Sequence, residues 1–192
     1  MNRKKNAVLS SLKYSFVFIL IFWIVQGVGY LGINFTSLGI LPRTVTGLLG
    51  IITAPFIHGD FEHLIANTLP FFVLSFLLFL FYKRRAFSFL LLIWITSGIL
   101  TWIIGRSAWH IGASSIIYGL AFFLVTGGIV SRSWKLILVS IVVLLLYSGF
   151  IWGILPMGDP RVSWEGHLSG ALSGLFWAYA YRRTLRASSD YR

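Results

Sequence analysis

Six long stretches of this chain contain no Asp, Glu, Lys or Arg. They cover residues 14–42, 64–82, 86–105, 111–131, 136–158 and 166–181. About 20 apolar residues, rising 1.5 Å each, cross the hydrocarbon core of a bilayer. Each stretch contains an apolar core of about that length. The sequence therefore predicts an all-α polytopic membrane protein with six transmembrane helices. Hydrophobic residues make up 57% of the chain and charged residues 11%, which excludes a soluble globular enzyme and a disordered chain.

The basic residues fall mainly on one side of these predicted helices. Thirteen of the 16 Lys and Arg residues lie before residue 14, after residue 181, or in the hinges at 83–85 and 132–135. The other three are Arg43, Arg106 and Arg161. Since short basic loops stay in the cytoplasm, both termini are predicted to be cytoplasmic, in a plasma or inner membrane. We expect basic tails at 1–13 and 183–192, attracted to anionic lipid, on either side of a membrane domain at 14–182.

The same pattern argues against several partners and cofactors. Nucleic acid is disfavoured because no basic patch is interleaved with aromatic residues. The chain has no cysteine, so it has no thiol nucleophile, disulfide or Cys-ligated zinc. A metal held by His58 and His63 is disfavoured because HExxH is absent and residues five apart do not share a helix face well. We therefore expect no cofactor.

Polar residues are concentrated near the opposite, non-cytoplasmic ends of the predicted helices. All four histidines lie there: His58, His63, His110 and His167. Asn67 follows His63 by four residues, so both project from one helix face. Ser114 and Ser115 begin the fourth helix directly after Gly112-Ala113. Because polar groups inside a membrane are costly, they are functional candidates, and we expect them to form one pocket at this end.

A serine and a histidine on neighbouring helices can act as nucleophile and general base. His167 can take the Ser114 proton as the hydroxyl attacks a carbonyl, and can return it to the leaving amine. The Ser114 N–H, in the first turn of a helix, and the side chains of His63 and Asn67 can donate to the oxyanion. Tyr118, one turn after Ser114, can stack on the imidazole.

This pair requires close contact between the fourth and sixth helices. A ridge of small residues spaced four apart on the sixth helix allows such contact: Gly166, Gly170 and Gly174. Ser173 can add an interhelical hydrogen bond. Glu165 lies two residues before His167 and is expected to point elsewhere, so the sequence predicts a dyad without a third carboxylate.

Together these residues resemble the rhomboid family of intramembrane serine proteases, in its minimal six-helix form. Three blocks carry the resemblance: His58-x4-His63-x3-Asn67, Gly112-Ala113-Ser114-Ser115-Ile116-Ile117-Tyr118, and Gly166-His167-x2-Gly170-x3-Gly174. They are similar to the family's His/His/Asn block, its GxSGxxY nucleophile motif and its base-bearing last helix. Order, spacing and predicted topology agree over roughly residues 14–182.

The resemblance implies a role for each of these residues. Ser114 is then the nucleophile and His167 the base, with His63, Asn67 and the Ser114 N–H as the oxyanion hole. Tyr118 then packs on His167. His58 becomes a structural hydrogen-bonding partner near the loop, and Gly112, Gly170 and Gly174 support the site.

The resemblance also implies a route for substrates. The fifth helix, at about Leu136–Leu155, and the loop Pro156–Ser163 are then expected to gate entry from the lipid bilayer. The expected substrates are single-span membrane proteins, cleaved in or near the membrane.

One departure from the family pattern keeps a second function open. The family usually has Gly after the nucleophile, whereas this chain has Ser115, which could crowd the oxyanion hole or contribute a hydroxyl. The alternative is a catalytically weak pseudoprotease that binds client transmembrane helices. A transporter or channel is disfavoured because the cytoplasmic halves of the helices look dry and no inverted repeat is present.

The sequence also predicts the structure of the long loop before the second helix and the positions of three further polar residues. Segment 32–62 has seven Gly and Pro residues but keeps apolar side chains, so we expect a structured loop at the interface rather than a flexible linker. We expect Arg106 and Arg161 to face solvent or lipid headgroups. We expect His110 to lie in a loop or at the interface.

Overall fold

The protein is an all-α bundle in this computed structural model, which describes residues 2–156 and 162–190. The helices are α1 (Asn2–Tyr30), α2 (Phe61–Tyr82), α3 (Ala86–Ile104), α4 (Ser114–Ser131), α5 (Trp134–Tyr147), α6 (Trp164–Ala180) and α7 (Arg182–Asp190). The described residues contain no strand beyond one isolated antiparallel bridge, between Ile40 and His110. The predicted fold class, an all-α polytopic bundle, is confirmed.

Three helical stretches are long and apolar enough to cross a membrane: Lys5–Tyr30, Phe61–Ile104 and Ser114–Ser131. The second contains both α2 and α3, which are joined by a single 3-10 turn at Lys83–Arg85. α6 has 17 residues and agrees with the predicted sixth stretch. We name the end of the bundle where the four histidines lie the histidine end, and the end with the Lys83–Arg85 turn the basic end.

The fifth helix differs from its prediction. α5 ends after 14 residues at Tyr147, and a separate four-residue helix follows at Phe150–Gly153. Gly149 and the preceding serine lie at this interruption, and both residue types have low helix propensity. Of the predicted gating loop Pro156–Ser163, residues 157–161, which include Arg161, lie outside the described part of the chain.

The two predicted basic tails are helical in the structure. α1 begins at Asn2, twelve residues before the predicted start, and α7 extends the chain beyond α6. Nothing in the first 25 residues breaks a helix, since the sequence there has neither Gly nor Pro. The Ser11 hydroxyl bonds back to the Ala7 carbonyl at 2.8 Å. The domain bounds at 14–182 stay a prediction.

In the described part of the chain, the backbones of α4 and α6 pack closely against each other. A Cβ atom added at Gly170 would overlap the Ser115 carbonyl, and one added at Gly174 would overlap the Gly119 carbonyl. The glycine ridge therefore lies where the two backbones approach each other, as small residues allow in lipid. The predicted bond from Ser173 is also present, because its Oγ accepts from Thr96 Oγ1 of α3 at 3.0 Å.

Segment 32–62 folds into short helical turns that dock on the end of α3. The Arg43 guanidinium donates to the Ile103 and Gly105 carbonyls, at 3.0 and 2.7 Å. Trp102 Nε1 donates to the Thr44 carbonyl at 2.9 Å. The arginine satisfies backbone carbonyls at the end of α3, and the tryptophan satisfies one in the loop. The loop is therefore structured, as predicted, and is held against the histidine end.

Candidate active site

Ser114 is the first residue of α4, and the turn before it depends on a glycine. Gly112 has a φ of 102°, and its N–H donates to the Ala54 carbonyl at 2.9 Å. A Cβ added at Gly112 would lie 2.6 Å from Cε1 of His63, so both backbone conformation and space require glycine. This turn brings the imidazole of α2 against the start of α4. The first-turn N–H groups of α4, including that of Ser114, have no acceptor within the helix.

His167 lies in the first turn of α6, and its ring is held from two sides. The ring is stacked on Tyr118, with centroids 4.1 Å apart and planes 9° apart. His167 Nδ1 lies 2.9 Å from the carbonyl oxygen of Gly153. Because a carbonyl can only accept, Nδ1 carries the hydrogen and Nε2 keeps its lone pair. The imidazole, 9% exposed, therefore has the tautomer that a general base needs at Nε2.

One open cavity of about 610 Å³ is lined by the predicted nucleophile, base and oxyanion donors: Ser114, His167, His63, Asn67 and Tyr118. Phe150, beyond the interruption after α5, also lines it. Among the described residues, no hydrogen bond joins the Ser114 and His167 side chains. Contacts of this kind are often long in the absence of substrate. The structure thus brings the predicted groups to one cavity without showing the nucleophile and base bonded to each other.

The α2 side of the cavity is arranged by the cap of that helix. Asp60 accepts from the His63 N–H at 2.7 Å. The Asn67 side-chain amide donates to the His63 carbonyl at 2.7 Å, which uses one of its two N–H hydrogens. Asn67 is buried, and its Oδ1 has no hydrogen-bond partner. The second amide hydrogen remains available to an oxyanion.

The hydrogen-bonding role that the family resemblance implies for His58 stays a prediction. The Phe56 backbone interacts with the ring, although neither ring nitrogen has a partner of full hydrogen-bond geometry in the described residues. Its ring packs instead against His63 and Phe22, with centroids 5.1 and 5.6 Å away. Burial, aided by repulsion from His63, lowers the pKa of His58 to about 3. His58 is therefore neutral at pH 7 and packs against His63. In the described part of the chain, no three His, Cys, Asp or Glu side chains gather as metal ligands.

An ion pair between a half-buried arginine and a buried carboxylate lies beside the site and was not predicted. Arg106, expected at the headgroups, pairs with Glu165 at 3.3 Å, and the Glu165 side chain is only 3% exposed. The Arg106 backbone N–H and guanidinium also bond to Glu165 and to the Val162 carbonyl. A charge buried in an apolar environment needs such a partner. Glu165, an acidic residue in an otherwise uncharged stretch, was the available sequence signal, and its carboxylate bonds to Arg106 rather than to His167.

His110 links the loop before α4 to the start of α6. Its Nε2 donates to the Arg106 carbonyl at 3.1 Å, so its Nδ1 accepts from the Ser163 hydroxyl at 2.6 Å. Ser163 Oγ also accepts from the Gly166 N–H at 3.1 Å and caps α6. Burial lowers the pKa of His110. The residue also lines the open cavity, so its hydrogen bonds connect the loop before α4 to the start of α6 at the edge of that cavity.

Ser115 does not face the open cavity. Its side chain lines a separate, small cavity of about 20 Å³ between α3, α4 and α6, which has room for about one water molecule. A Cβ added at Gly166 would contact Ser115 Cβ at 3.9 Å. Ser115 therefore lies on the α6 side of α4, and it is not among the residues that line the open cavity.

The model of the Rhomboid domain matches residues 45–184 of this chain. An uncharacterized protein of Mycobacterium tuberculosis is 43% identical over 150 residues, which are 73% of this chain and 62% of that protein. One from Mycobacterium leprae is 42% identical over 141 residues, 69% of this chain and 55% of that protein. A protein of Acanthamoeba polyphaga mimivirus, named as a rhomboid protein, is 26% identical over 145 residues, 72% of this chain and 78% of that protein.

The matched region begins in the loop before α2 and ends after α6, so it contains every helix that lines the open cavity. The chain spans less than two thirds of the length of its mycobacterial relatives. The family match covers more than half of this chain. This chain is a membrane protein that belongs to the rhomboid family.

Proposed function

We propose that this chain is an intramembrane serine endopeptidase that uses a Ser114–His167 dyad through an acyl-enzyme. The single observation that supports the proposal best is the orientation of His167. Its Nδ1 is occupied by the Gly153 carbonyl, and its ring is stacked on Tyr118. The unprotonated Nε2 is thereby left for the serine at the start of α4, and both residues line one cavity.

The reaction follows from these positions. Ser114 Oγ attacks the substrate carbonyl carbon while its proton moves to His167 Nε2. The resulting oxyanion receives hydrogen bonds from the Ser114 N–H, His63 and the free N–H of Asn67. When the C–N bond breaks, His167 returns the proton to the leaving amine and the acyl group stays on Ser114. Water, activated by His167, then hydrolyses the ester.

The proposed substrates are single-span membrane proteins in the same bilayer, cleaved in or near the membrane. A substrate helix hides its carbonyls in hydrogen bonds, so the segment that is cleaved must unwind near the histidine end. The distribution of basic residues supports a plasma or inner membrane location with both termini cytoplasmic. The cavity then opens on the non-cytoplasmic side.

A fluorophosphonate probe tests the dyad without a known substrate. The purified protein in mild detergent is treated with the probe, alongside Ser114→Ala, His167→Ala and Ser115→Ala. We expect labelling of the wild type and of Ser115→Ala, and its loss in the other two variants. Labelling retained in Ser114→Ala would contradict the assignment of the nucleophile, and labelling retained in His167→Ala would contradict that of the base.

The client-binding pseudoprotease is the second candidate, and the unbonded Ser114 and His167 side chains favour it. An active rhomboid protease, treated in parallel, controls for access of the probe. If the control is labelled and this chain is not, the pseudoprotease becomes the better assignment.

A further inference from the structure

We propose that the short helix Phe150–Gly153 positions the base. The Gly153 carbonyl sets which nitrogen of His167 carries the proton, and Phe150, through Tyr118, sets the plane of the ring. This inference rests on the proposed function, in which His167 is the base. Gly153 and Phe150 act through other side chains, so they are positioning residues.

The hydrogen bond to Gly153 takes the place of the bond that a carboxylate makes in a catalytic triad. In a triad the carboxylate accepts from Nδ1–H and keeps the base in the tautomer with a free Nε2. Here the nearby carboxylate of Glu165 is already paired with Arg106 at 3.3 Å. The Gly153 carbonyl, 2.9 Å from His167 Nδ1, supplies the same geometric constraint. It does so without placing another charge in an apolar region.

The aromatic contacts add a second constraint from the same segment. Phe150 stacks on Tyr118 with centroids 4.5 Å apart and planes 18° apart, and Tyr118 stacks on His167 with centroids 4.1 Å apart. Three nearly parallel rings therefore connect the short helix to the imidazole. Rotation of the imidazole out of this stack would break the Nδ1 hydrogen bond as well.

Only glycine fits at position 153. A Cβ there would overlap the Tyr118 hydroxyl and lie 3.2 Å from His167 Nδ1. Any side chain must therefore push the carbonyl, the tyrosine or the imidazole out of place. Position 149, four residues earlier in the same segment, offers a matched control because a Cβ there meets nothing within 4 Å.

Besides these contacts, Phe150 packs on Tyr147 of α5, with ring centroids 5.0 Å apart, and on the hydrophobic core. None of the residues of the segment is fully buried, and Ile151 and Trp152 are exposed. Ser148 and Gly149 separate the segment from the regular part of α5. Displacement of the segment removes both constraints on His167 together and is expected to lower the reactivity of Ser114.

The experiment compares Gly153→Ala with Gly149→Ala in two measurements. The first is ¹⁵N NMR of the histidine-labelled protein in nanodiscs, which reports the tautomer of each imidazole, with the four histidines assigned by single substitutions. The second is the rate at which a fluorophosphonate labels Ser114. We expect the Nδ1–H tautomer of His167 in the wild type and in Gly149→Ala. We expect a mixture of tautomers in Gly153→Ala, with labelling slower by about tenfold or more.

A second variant keeps the proposal testable if Gly153→Ala does not fold. Replacing Ile154 with the corresponding α-hydroxy acid turns the 153–154 peptide into an ester, whose carbonyl is a weaker acceptor, and adds no bulk near Tyr118. We expect the same change in tautomer and a smaller loss of labelling. If both variants keep the wild-type tautomer and labelling rate, the proposal is wrong.

The same measurements separate this proposal from the proposed function. A wild-type protein that has the Nδ1–H tautomer but is not labelled would contradict the protease assignment and leave the positioning role standing. A labelled wild type whose His167 carries its proton on Nε2 would overturn the positioning role while the protease assignment survives.

Discussion

Ser115 follows the nucleophile directly, yet its side chain belongs to a different part of the bundle. Consecutive helical residues are about 100° apart around the axis. Ser114 lines both the open cavity and the small cavity of about 20 Å³, whereas Ser115 lines only the small one. If the open cavity is the proposed active site, the family's glycine is not needed here to keep it clear.

Ser115→Gly tests this separation. We expect the rate of Ser114 labelling to change by less than about threefold, which corresponds to about 0.7 kcal/mol in the activation free energy. Stability should fall by about 0.5 kcal/mol because glycine is a poor helix former. Ser115→Ala, which removes the hydroxyl without lowering helix propensity, is the control. A rise in labelling above about tenfold in Ser115→Gly alone would show that the side chain does obstruct the site.

His58 makes stability depend on pH. Its pKa is about 3 in the folded protein and 6.5 without burial, so the unfolded chain binds the proton more readily. Stability is therefore fully present above pH 6.5 and falls as the pH is lowered towards 3. The loss is about 1.4 kcal/mol per pH unit, or about 2 kcal/mol at pH 5.

The variant His58→Phe isolates this contribution. Phenylalanine keeps an aromatic ring in the contact with Phe22 and removes the two unpartnered nitrogens. We expect the difference in free energy of unfolding between pH 7.5 and pH 5 to shrink by about 2 kcal/mol. Unfolding in mixed micelles at both pH values measures it. An unchanged difference would mean that His58 is not neutral in the folded state.

The residue types in the site were predictable, but several of their partners were not. Ser114, His63, Asn67 and His167 are polar side chains in apolar segments, which the sequence displays directly. The acceptor for His167 is a backbone carbonyl, and every residue has one, so no sequence pattern distinguishes Gly153. The missing partners of His58 and the pairing of Glu165 with Arg106 depend equally on how distant segments meet.

The helix pair α4–α6 carries Ser114 and His167, the proposed nucleophile and base, so the spacing of the two helices controls the separation of these side chains. Gly170→Ala would place a methyl group on the Ser115 carbonyl. Overpacking of this kind costs about 1–3 kcal/mol, and we expect labelling of Ser114 to slow as the helices separate. Gly27→Ala in α1 is the control, since a Cβ there meets nothing within 4 Å and should stabilise the helix by about 0.5–1 kcal/mol. Equal stability and labelling in the two variants would contradict the close contact.

The hydropathy of the sequence predicted which segments are helical more accurately than it predicted the residues at which the helices begin and end. The uncharged stretch 136–158 predicts one helix, but the structure interrupts it at Ser148–Gly149. The prediction missed this break because hydropathy averaged over many apolar residues is insensitive to one or two residues of low helix propensity. The opposite error occurs at α1, where the charged residues before Tyr14 were treated as a tail. Charge does not prevent helix formation, and those residues continue the helix from Asn2.

At the scale of the whole molecule, the two ends differ in chemistry. The histidine end holds the open cavity, the docked loop 32–62 and the Arg106–Glu165 pair. The basic end holds the Lys83–Arg85 turn and the arginine after α4, with no acidic residue in that turn. Both the charge count and the polar residues were visible in the sequence. The basic residues mark one end of the bundle and the polar side chains mark the other. Together the two patterns predict that the site lies at the histidine end.

The orientation of this bundle in the membrane can be tested because the chain has no native cysteine. Val45→Cys places a thiol at the histidine end, where Val45 is 85% exposed. Arg84→Cys places one in the exposed turn at the basic end. If basic segments stay in the cytoplasm, a membrane-impermeant maleimide should label Val45→Cys on intact cells. Arg84→Cys should react only after permeabilisation. Labelling of Arg84→Cys on intact cells would reverse the orientation and place the cavity of Ser114 and His167 on the cytoplasmic side.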